Sequence, residues 1–307
     1  MRTPKLSITL VTFNHGQWLE RCLESIVTQE LNFDYEILVG DDASTDDLTT
    51  AIVRRYAQAW PGIVVPLIRE KNIGGTQNYL DLVRRARGEY IAHIDGDDCM
   101  LPGKLQAQVD FLDAHPECAI VAHEVRVIND AGEIISERFL TQKKPAIADI
   151  NYLVLHGCYF THSSKMYRRS ALLSRERNQR TIDYFYHIEQ ASSGKIGFLP
   201  QTLGEYRKHQ GSASAPGSSI ISTTEQCIQE AFDRALELGV QEDIVRLGRL
   251  RHRYYDAFAK LNAGDDQGFR AQIRLRWRDL RYATKRHLLA NLLRGAPSLV
   301  RRLLPIF

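Results

Sequence analysis

Short apolar runs alternate with stretches of helical periodicity over the first third of this chain, and that alternation restricts the fold more than any other feature. The runs are Leu6–Val11, Tyr35–Val39, Ile63–Ile68 and Glu89–Ile94. Each is rich in residues that suit a pleated surface and each ends in polar or glycine-containing sequence, so each reads as a strand. Between them Trp18, Leu19, Cys22, Ile26 and Val27 recur at helical spacing. A second helix spans Leu48–Trp60 and is stopped by Pro61-Gly62; a third spans Thr76–Arg87. Strands joined through helices by short loops form a parallel sheet with right-handed crossovers. The carboxyl ends of such strands share one edge, which is where open α/β sheets bind ligands.

What the chain places at that edge is polar. The first strand runs into Thr12-Phe13-Asn14-His15-Gly16, the second into Gly40-Asp41-Asp42-Ala43-Ser44-Thr45-Asp46, and the fourth into Asp95-Gly96-Asp97-Asp98. Neighbouring carboxylates repel one another unless a cation or hydrogen-bond donors lie close by. If the strand geometry persists, Asp95 and Asp97 point to the same side, and Gly96 leaves room for a ligand. An Asp-x-Asp alone is equally a solvated acidic turn; its convergence with the other strand ends is what favours a site.

Beyond a helix expected over Gly103–His115 the pattern changes. Ala119–Ile128 and Glu133–Phe139 are β-like and joined by the hairpin signal Asn129-Asp130-Ala131-Gly132. Short strands are expected in Gly157–Tyr167 and at Lys195–Leu199, around a helix over Asp183–Ser192, so the sheet becomes mixed. Gly211–Ser219 reads as a loop or hinge, and helical periodicity follows from about Ile220. The expected organisation is an α/β catalytic domain over residues 1–215 and a helical, basic and amphipathic extension over residues 216–307.

Function classes are narrowed by what is missing. There is no GxGxxG and no GxxxxGK[ST], which argues against dinucleotide and P-loop readings. His15, His93, His115, His123, His156, His162, His187, His252 and His287 show no HExxH-type spacing. The five cysteines are scattered, without a CxxC pair, as expected of reduced thiols in a cytoplasmic protein. No stretch approaches the roughly 18 apolar residues of a spanning helix. The net charge of +3 is uneven: from Arg270 to Phe307, ten Lys or Arg face the single acid Asp279, so the remainder is net acidic.

Taken in order, these motifs resemble the GT-A-fold glycosyltransferases of family 2. The resemblance covers roughly Lys5–Ser214. It rests on the three strand ends, Asn72-Ile73-Gly74, Leu101-Pro102, Ser164–Arg169, Gly194–Leu199 and Tyr206-Arg207-Lys208-His209-Gln210-Gly211-Ser212. It implies a Rossmann-like, mostly parallel mixed sheet flanked by helices. The activity it implies is inverting sugar transfer from a UDP- or dTDP-type nucleotide-sugar to a glycan or lipid-linked acceptor, in cell-surface polysaccharide synthesis. The cofactor would be Mn²⁺ or Mg²⁺, since acidic side chains help a diphosphate leaving group only by holding a cation.

Residue by residue, the resemblance makes Asp97 and His209 metal ligands and Asp95 a contact to the ribose or donor sugar. Asp42 would meet the base, Thr12 and Phe13 would line its pocket, and Asn14, Asn72 and Gly74 would complete the nucleotide-sugar site. Asn14 has an alternative role as cap of the helix that follows, Asp41 as a loop-forming carboxylate and Asp98 as a turn or helix-start carboxylate. Asp183, in Thr181-Ile182-Asp183-Tyr184-Phe185, occupies the family's base position, although Ile182 replaces the usual Glu. Its alternative is a helix cap. A degenerate module that binds nucleotide-sugar without turnover is the competing function. The apolar stripe Leu289–Phe307, interleaved with Arg294, Arg301 and Arg302, is expected either to pack on the catalytic domain or to lie on an anionic membrane surface, which would make the enzyme peripheral on the inner face of the cell membrane. Nucleic acid is not an expected partner.

Overall fold

The computed structural model describes residues 3–140, 143–171, 181–209 and 221–262. The first half follows the expected alternation: β1 (Leu6–Thr12), α1 (Gly16–Val27), β2 (Tyr35–Asp41), α2 (Thr49–Ala59), β3 (Val64–Ile68), α3 (Gly75–Arg85) and β4 (Tyr90–Asp95). There follow β5 (Cys99–Met100), α4 (Lys104–Ala114), β6 (Cys118–Ile128), β7 (Ile134–Ser136), β8 (Ile147–Ala148) and α5 (Ile150–His156). The described elements end with β9 (Met166–Arg168), α6 (Asp183–Ala191), β10 (Lys195–Arg207), α7 (Ile221–Glu237) and α8 (Glu242–Asn262).

One sheet runs in the order β3-β2-β1-β4-β9-β6-β10-β5, with β7 added to β6 and β8 to β10. Strands β3, β2, β1 and β4 are mutually parallel. β9 is antiparallel to both β4 and β6, and β10 is parallel to β6. It follows that β4, β6 and β10 all point the same way, and their carboxyl ends share an edge with those of β1 and β2. The mixed second half is as expected, and so is the β6–β7 hairpin, where Ile128 pairs with Ile134.

The period of two along β1 and β4 sorts their side chains between two layers. Leu6, Ile8 and Leu10 of β1 join Tyr90, Ala92 and Ile94 of β4 in a core shared with Leu19, Leu23 and Ile26 of α1. Ile91 faces the opposite core, with Leu82, Tyr167, Tyr186 and Phe232. Burial of each such aliphatic side chain is worth about 1.5–3 kcal/mol, which fixes the register of the central strands. The alternate positions Ser7, Thr9 and His93 are polar yet buried, so each needs a partner. Ser7 Oγ donates to Glu36 at 2.6 Å, and Glu36 also accepts Arg87 Nε at 2.9 Å.

Besides the short strands β5 and β8, which the sequence did not indicate, three elements differ from the sequence expectation. β10 is far longer than Lys195–Leu199, because shifts in register at Leu199, Thr202 and Gly204 carry it on through a polar stretch. Within Gly157–Tyr167 the backbone forms a single 3-10 turn, His162–Ser164, rather than strand, and β9 begins only at Met166. α5, too short to show periodicity, is started by Asp149, whose carboxylate accepts Tyr152 N–H at 2.8 Å. α7 and α8 agree with a helical region after about residue 220, α7 packing on α6 and α8 on α5. The proposed boundary at 215/216, the loop Gly211–Ser219 and the basic tail lie outside the described residues.

Candidate active site

The site is built at the carboxyl edge from the ends of β1, β2 and β4. In the loop after β1, Asn14 takes up the left-handed conformation, φ 56°, and its side chain reaches across to the loop after β2. Its Oδ1 accepts Thr45 N–H at 2.7 Å and its Nδ2 donates to Thr45 Oγ1 at 3.2 Å. Asn14 therefore does not cap α1, which has no side-chain cap. Asp46 serves that end instead, accepting Gly16 N–H at 3.1 Å and Thr49 N–H at 2.8 Å, so that one carboxylate meets the positive ends of α1 and α2. Burial acts against the charge on Asp46, but these donors outweigh it and hold its carboxyl below the usual range.

Asp41 and Asp42 divide the labour. Asp41 is buried and accepts Ser44 N–H, Ser44 Oγ–H and Thr50 Oγ1–H, so it shapes the loop. Asp42 faces the turn before α3: its oxygens accept Ile73 N–H at 2.8 Å and Gly74 N–H at 2.9 Å, while Asn72 Nδ2 donates to its carbonyl at 3.0 Å. Gly74, at φ 86°, needs its missing Cβ for that turn, and the space beside it is open. Phe13 leaves 41% of its surface exposed beside Thr12, whose buried hydroxyl has no hydrogen-bond partner among the described residues. Gly96 packs so tightly that a Cβ there would approach Thr12 Oγ1 and His15 Nδ1 to 2.9 Å.

Asp95 ends β4 on the face it shares with His93. His93 Nε2 lies 3.2 Å from Asp95 Oδ1, and Nδ1 lies 3.0 Å from Thr9 Oγ1. Burial, opposed by the hydrogen bond and charge of Asp95, keeps His93 below its ordinary pKa. A neutral ring donating from Nε2 to Asp95 satisfies both contacts. Ser163 adds a second hold on Asp95, accepting its N–H at 3.1 Å and donating to Oδ2 at 3.3 Å.

Asp97 lies 3.0 Å through Oδ2 from His209 Nε2. The His209 ring lies 4.2 Å from that of Trp18 between centroids, tilted by 43°. Arg207 fixes this pair from behind: it donates to the carbonyls of Asp97 at 2.9 Å, Asn129 at 2.8 Å and Asp130 at 2.9 Å. Asp98 is buried and accepts Arg207 N–H at 2.8 Å, so it is a turn carboxylate. Burial, then the charges of Asp97 and Asp95, push its carboxyl well above the usual range.

No group of three or more His, Cys, Asp or Glu among the described residues could hold a metal unaided. Mn²⁺ and Mg²⁺ bound to nucleotides need less: one or two protein ligands, with phosphate oxygens and water filling the remaining positions. The Asp97–His209 pair, a carboxylate beside an imidazole, fits that requirement.

Opposite this edge Asp183 stands in the first turn of α6. The cap position is Ile182 and no side chain caps the helix, so the capping role foreseen as an alternative for Asp183 is not found. Behind it lie residues to which the sequence assigned no role: His162, His187, Lys165, Tyr79 and Tyr167, all buried. His162 Nδ1 is 3.7 Å from Asp183 Oδ1, and its ring is 4.2 Å from that of His93. Desolvation first, then the charge of Asp95, push the Asp183 carboxyl up to about 7, opposed by Lys165; water at its 58% exposed side chain tempers the effect. Lys165 donates to Gln190 Oε1 at 3.0 Å and is itself pushed down to about 7 by burial. Only the buried environment reveals the grouping, since Ser164–Arg169 marks Lys165 and Tyr167 as part of a motif but not as neighbours of the two imidazoles.

The family model "Glycosyl transferase family 2" matches residues 7–174, more than half of the chain. The chain belongs to glycosyltransferase family 2. An uncharacterized protein of Mycobacterium tuberculosis is 34% identical over 205 residues, which are 66% of this chain but 59% of that relative, so the chain spans well under two thirds of its length. The amylovoran biosynthesis glycosyltransferase AmsE of Erwinia amylovora is 28% identical over 65% of this chain and 74% of its own. Among solved structures, S. aureus TarS 1–349 in complex with UDP-GlcNAc superposes with a TM-score of 0.66 at 18% identity, covering 88% of this chain and 79% of that one. That likeness shows the GT-A fold expected from the sequence, and the family's strand-end motifs fall where the fold brings the acids together.

Proposed function

We propose that this family 2 protein transfers a sugar, with inversion, from a UDP- or dTDP-type donor to a hydroxyl of a glycan or lipid-linked acceptor in polysaccharide synthesis. The observation that carries the reading is a series of contacts, Asp183–His162–His93–Asp95, that sets a carboxylate with a raised pKa opposite the acidic strand end. A general base needs a pKa near the working pH, and Asp183 has the environment for it. TarS bound to UDP-GlcNAc and the amylovoran biosynthesis glycosyltransferase AmsE support the donor class and a biosynthetic acceptor.

In this mechanism Asp183 takes the acceptor hydroxyl proton as that oxygen forms its bond to the anomeric carbon and the bond to the diphosphate oxygen breaks on the opposite face. Asp97 and His209 would hold Mn²⁺ or Mg²⁺, which supplies positive charge to the departing diphosphate. Asp95, oriented by His93 and Ser163, binds the ribose or donor sugar. Phe13, Thr12 and Asn14 form one side of the base site, and the Asp42–Asn72–Gly74 turn forms the other. The test is transfer from a panel of UDP- and dTDP-sugars with and without EDTA, with the product's anomeric configuration read by NMR. Metal-independent transfer would remove the cation, a retained configuration would remove the displacement, and donor binding without turnover would favour the binding module.

No helix among the described residues is long and apolar enough to cross a membrane. The charge carried by residues 270–307 supports a peripheral contact with anionic lipid. Co-sedimentation with anionic vesicles should fall with salt and be lost in a chain ending at residue 269; equal binding by that shortened chain would refute the contact.

A further inference from the structure

His162, His187 and Cys158 form a hydrogen-bonded line whose direction is set at one end. Cys158 Sγ donates to the Phe160 carbonyl at 3.0 Å, so its sulfur is left to accept from His187 Nδ1 at 3.2 Å. His187 then carries its proton on Nδ1, and its bare Nε2 accepts from His162 Nδ1 at 3.3 Å. The proton on His162 Nδ1 therefore lies between two acceptors, His187 Nε2 at 3.3 Å and Asp183 Oδ1 at 3.7 Å. A hydrogen bond to an ionised acceptor is roughly twice as strong as one between neutral groups. An ionised Asp183 therefore competes for this donor on favourable terms, and a protonated one does not.

We propose that His162 is the positioning residue for Asp183, giving its Nδ1–H to the carboxylate in preference to His187 when that carboxylate is ionised and so aiming the carboxylate at the acceptor hydroxyl. The proposal rests on the reading of Asp183 as the base. The ring is suited to the task, because it is clamped by His93 of β4 at 4.2 Å, Tyr79 of α3 at 5.0 Å and Tyr186 of α6 at 6.3 Å between centroids. Burial, then the nearby Lys165, His93 and His187, hold it far below its ordinary pKa, so it stays a neutral donor and does not become a cation. Among the described residues, the charged groups acting on Asp183 from the surrounding elements are Asp95 of β4 and Lys165, between the 3-10 turn and β9.

The test is a ¹³C-carboxyl NMR titration of Asp183 in the full chain without substrate, assigned with Asp183→Asn, beside kcat against pH and donor Kd. Removing a donor from an ionised carboxylate raises its pKa. His162→Leu should move the Asp183 midpoint up by about one pH unit and lower kcat near pH 7 about tenfold, with donor Kd unchanged. His162→Gln, which keeps an N–H, should recover most of both. His187→Leu removes the competing acceptor and should move the midpoint down. Opposite signs for the two leucine variants are the signature, since a merely structural role would shift both alike or neither. A midpoint unmoved in a folded His162→Leu, or moved upward in His187→Leu, overturns the proposal. If His162→Leu does not fold, the downward shift in His187→Leu decides alone. Wild-type turnover by Asp183→Asn together with the opposed shifts would instead overturn the base reading and leave the contact standing.

Discussion

The loops after β1 and β2 are held by hydrogen bonds between residues about thirty positions apart, Asn14 to Thr45 and Asp42 to Gly74. The wall that carries Asp183 is held by contacts of much longer range, such as Thr76 to Thr181 across 105 positions, and by buried imidazoles, with no local motif. The first kind of construction uses carboxylates to collect backbone N–H groups, so it fixes a loop whatever surrounds it. The second depends on packing, and gains from it a low-dielectric setting that shifts pKa values. A nucleotide needs the former; a proton transfer needs the latter.

The contrast breaks first at Asp183. Asp183→Asn should lower kcat about 10²–10⁴-fold while donor Kd stays near that of the native protein. Because desolvation and the charge of Asp95 raise the Asp183 pKa, though water at its exposed side chain tempers the shift, the ionised base is present only above that pKa, so kcat should rise with pH and fall away in acid. An acid-tolerant kcat would mean the packed wall does not tune its carboxylate. Asp97→Asn comes next, with a loss of about 10²–10³-fold in turnover that added Mn²⁺ recovers only in part. Native-like turnover at limiting Mn²⁺ would detach Asp97 from the diphosphate.

These two expectations also show how far the sequence could be read. The four parallel strands, the acidic ends of β2 and β4 and the helix that begins at Asp183 were all legible, because each depends on a period of two or 3.6, or on a motif a few residues long. The length of β10, the coil of Gly157–Thr161 and the set His93, His162, His187 and Lys165 were not. Their conformation follows from burial between layers that come from distant sequence, and an isolated histidine gives no sign of which core it enters. Asn14 illustrates the limit well: Asn before a helix suggested a cap, but a partner thirty-one positions away claimed it.

Smaller effects sharpen the donor side. Asp42→Ala should raise donor KM about tenfold, since a base donor left without its acceptor costs about 1–3 kcal/mol. Kinetics with UDP- and dTDP-sugars would show it, and an unchanged KM for all of them would confine Asp42 to the protein interior. Asp46→Ala should cost about 0.5–2 kcal/mol of stability with little change in kcat, because it removes the acceptor at two helix starts. With its folded pKa depressed, Asp46 contributes that stability above its unfolded pKa and loses it as pH falls through the folded one. Thermal melts at pH 7 and pH 3 should therefore differ less in Asp46→Ala than in the native chain.

The segment from Asp183 to His209 deserves a different description. α6 leaves the binding edge, β10 returns to it, and the two follow one another with only a tight turn between them. The candidate base thus opens a single helix–strand hairpin, and the candidate metal ligand stands just past its end. Asp97, the other candidate metal ligand, comes from another part of the sheet, just past the end of β4. On this reading a small shift of the hairpin against β4 would move the candidate base and the His209 side of the candidate metal site together.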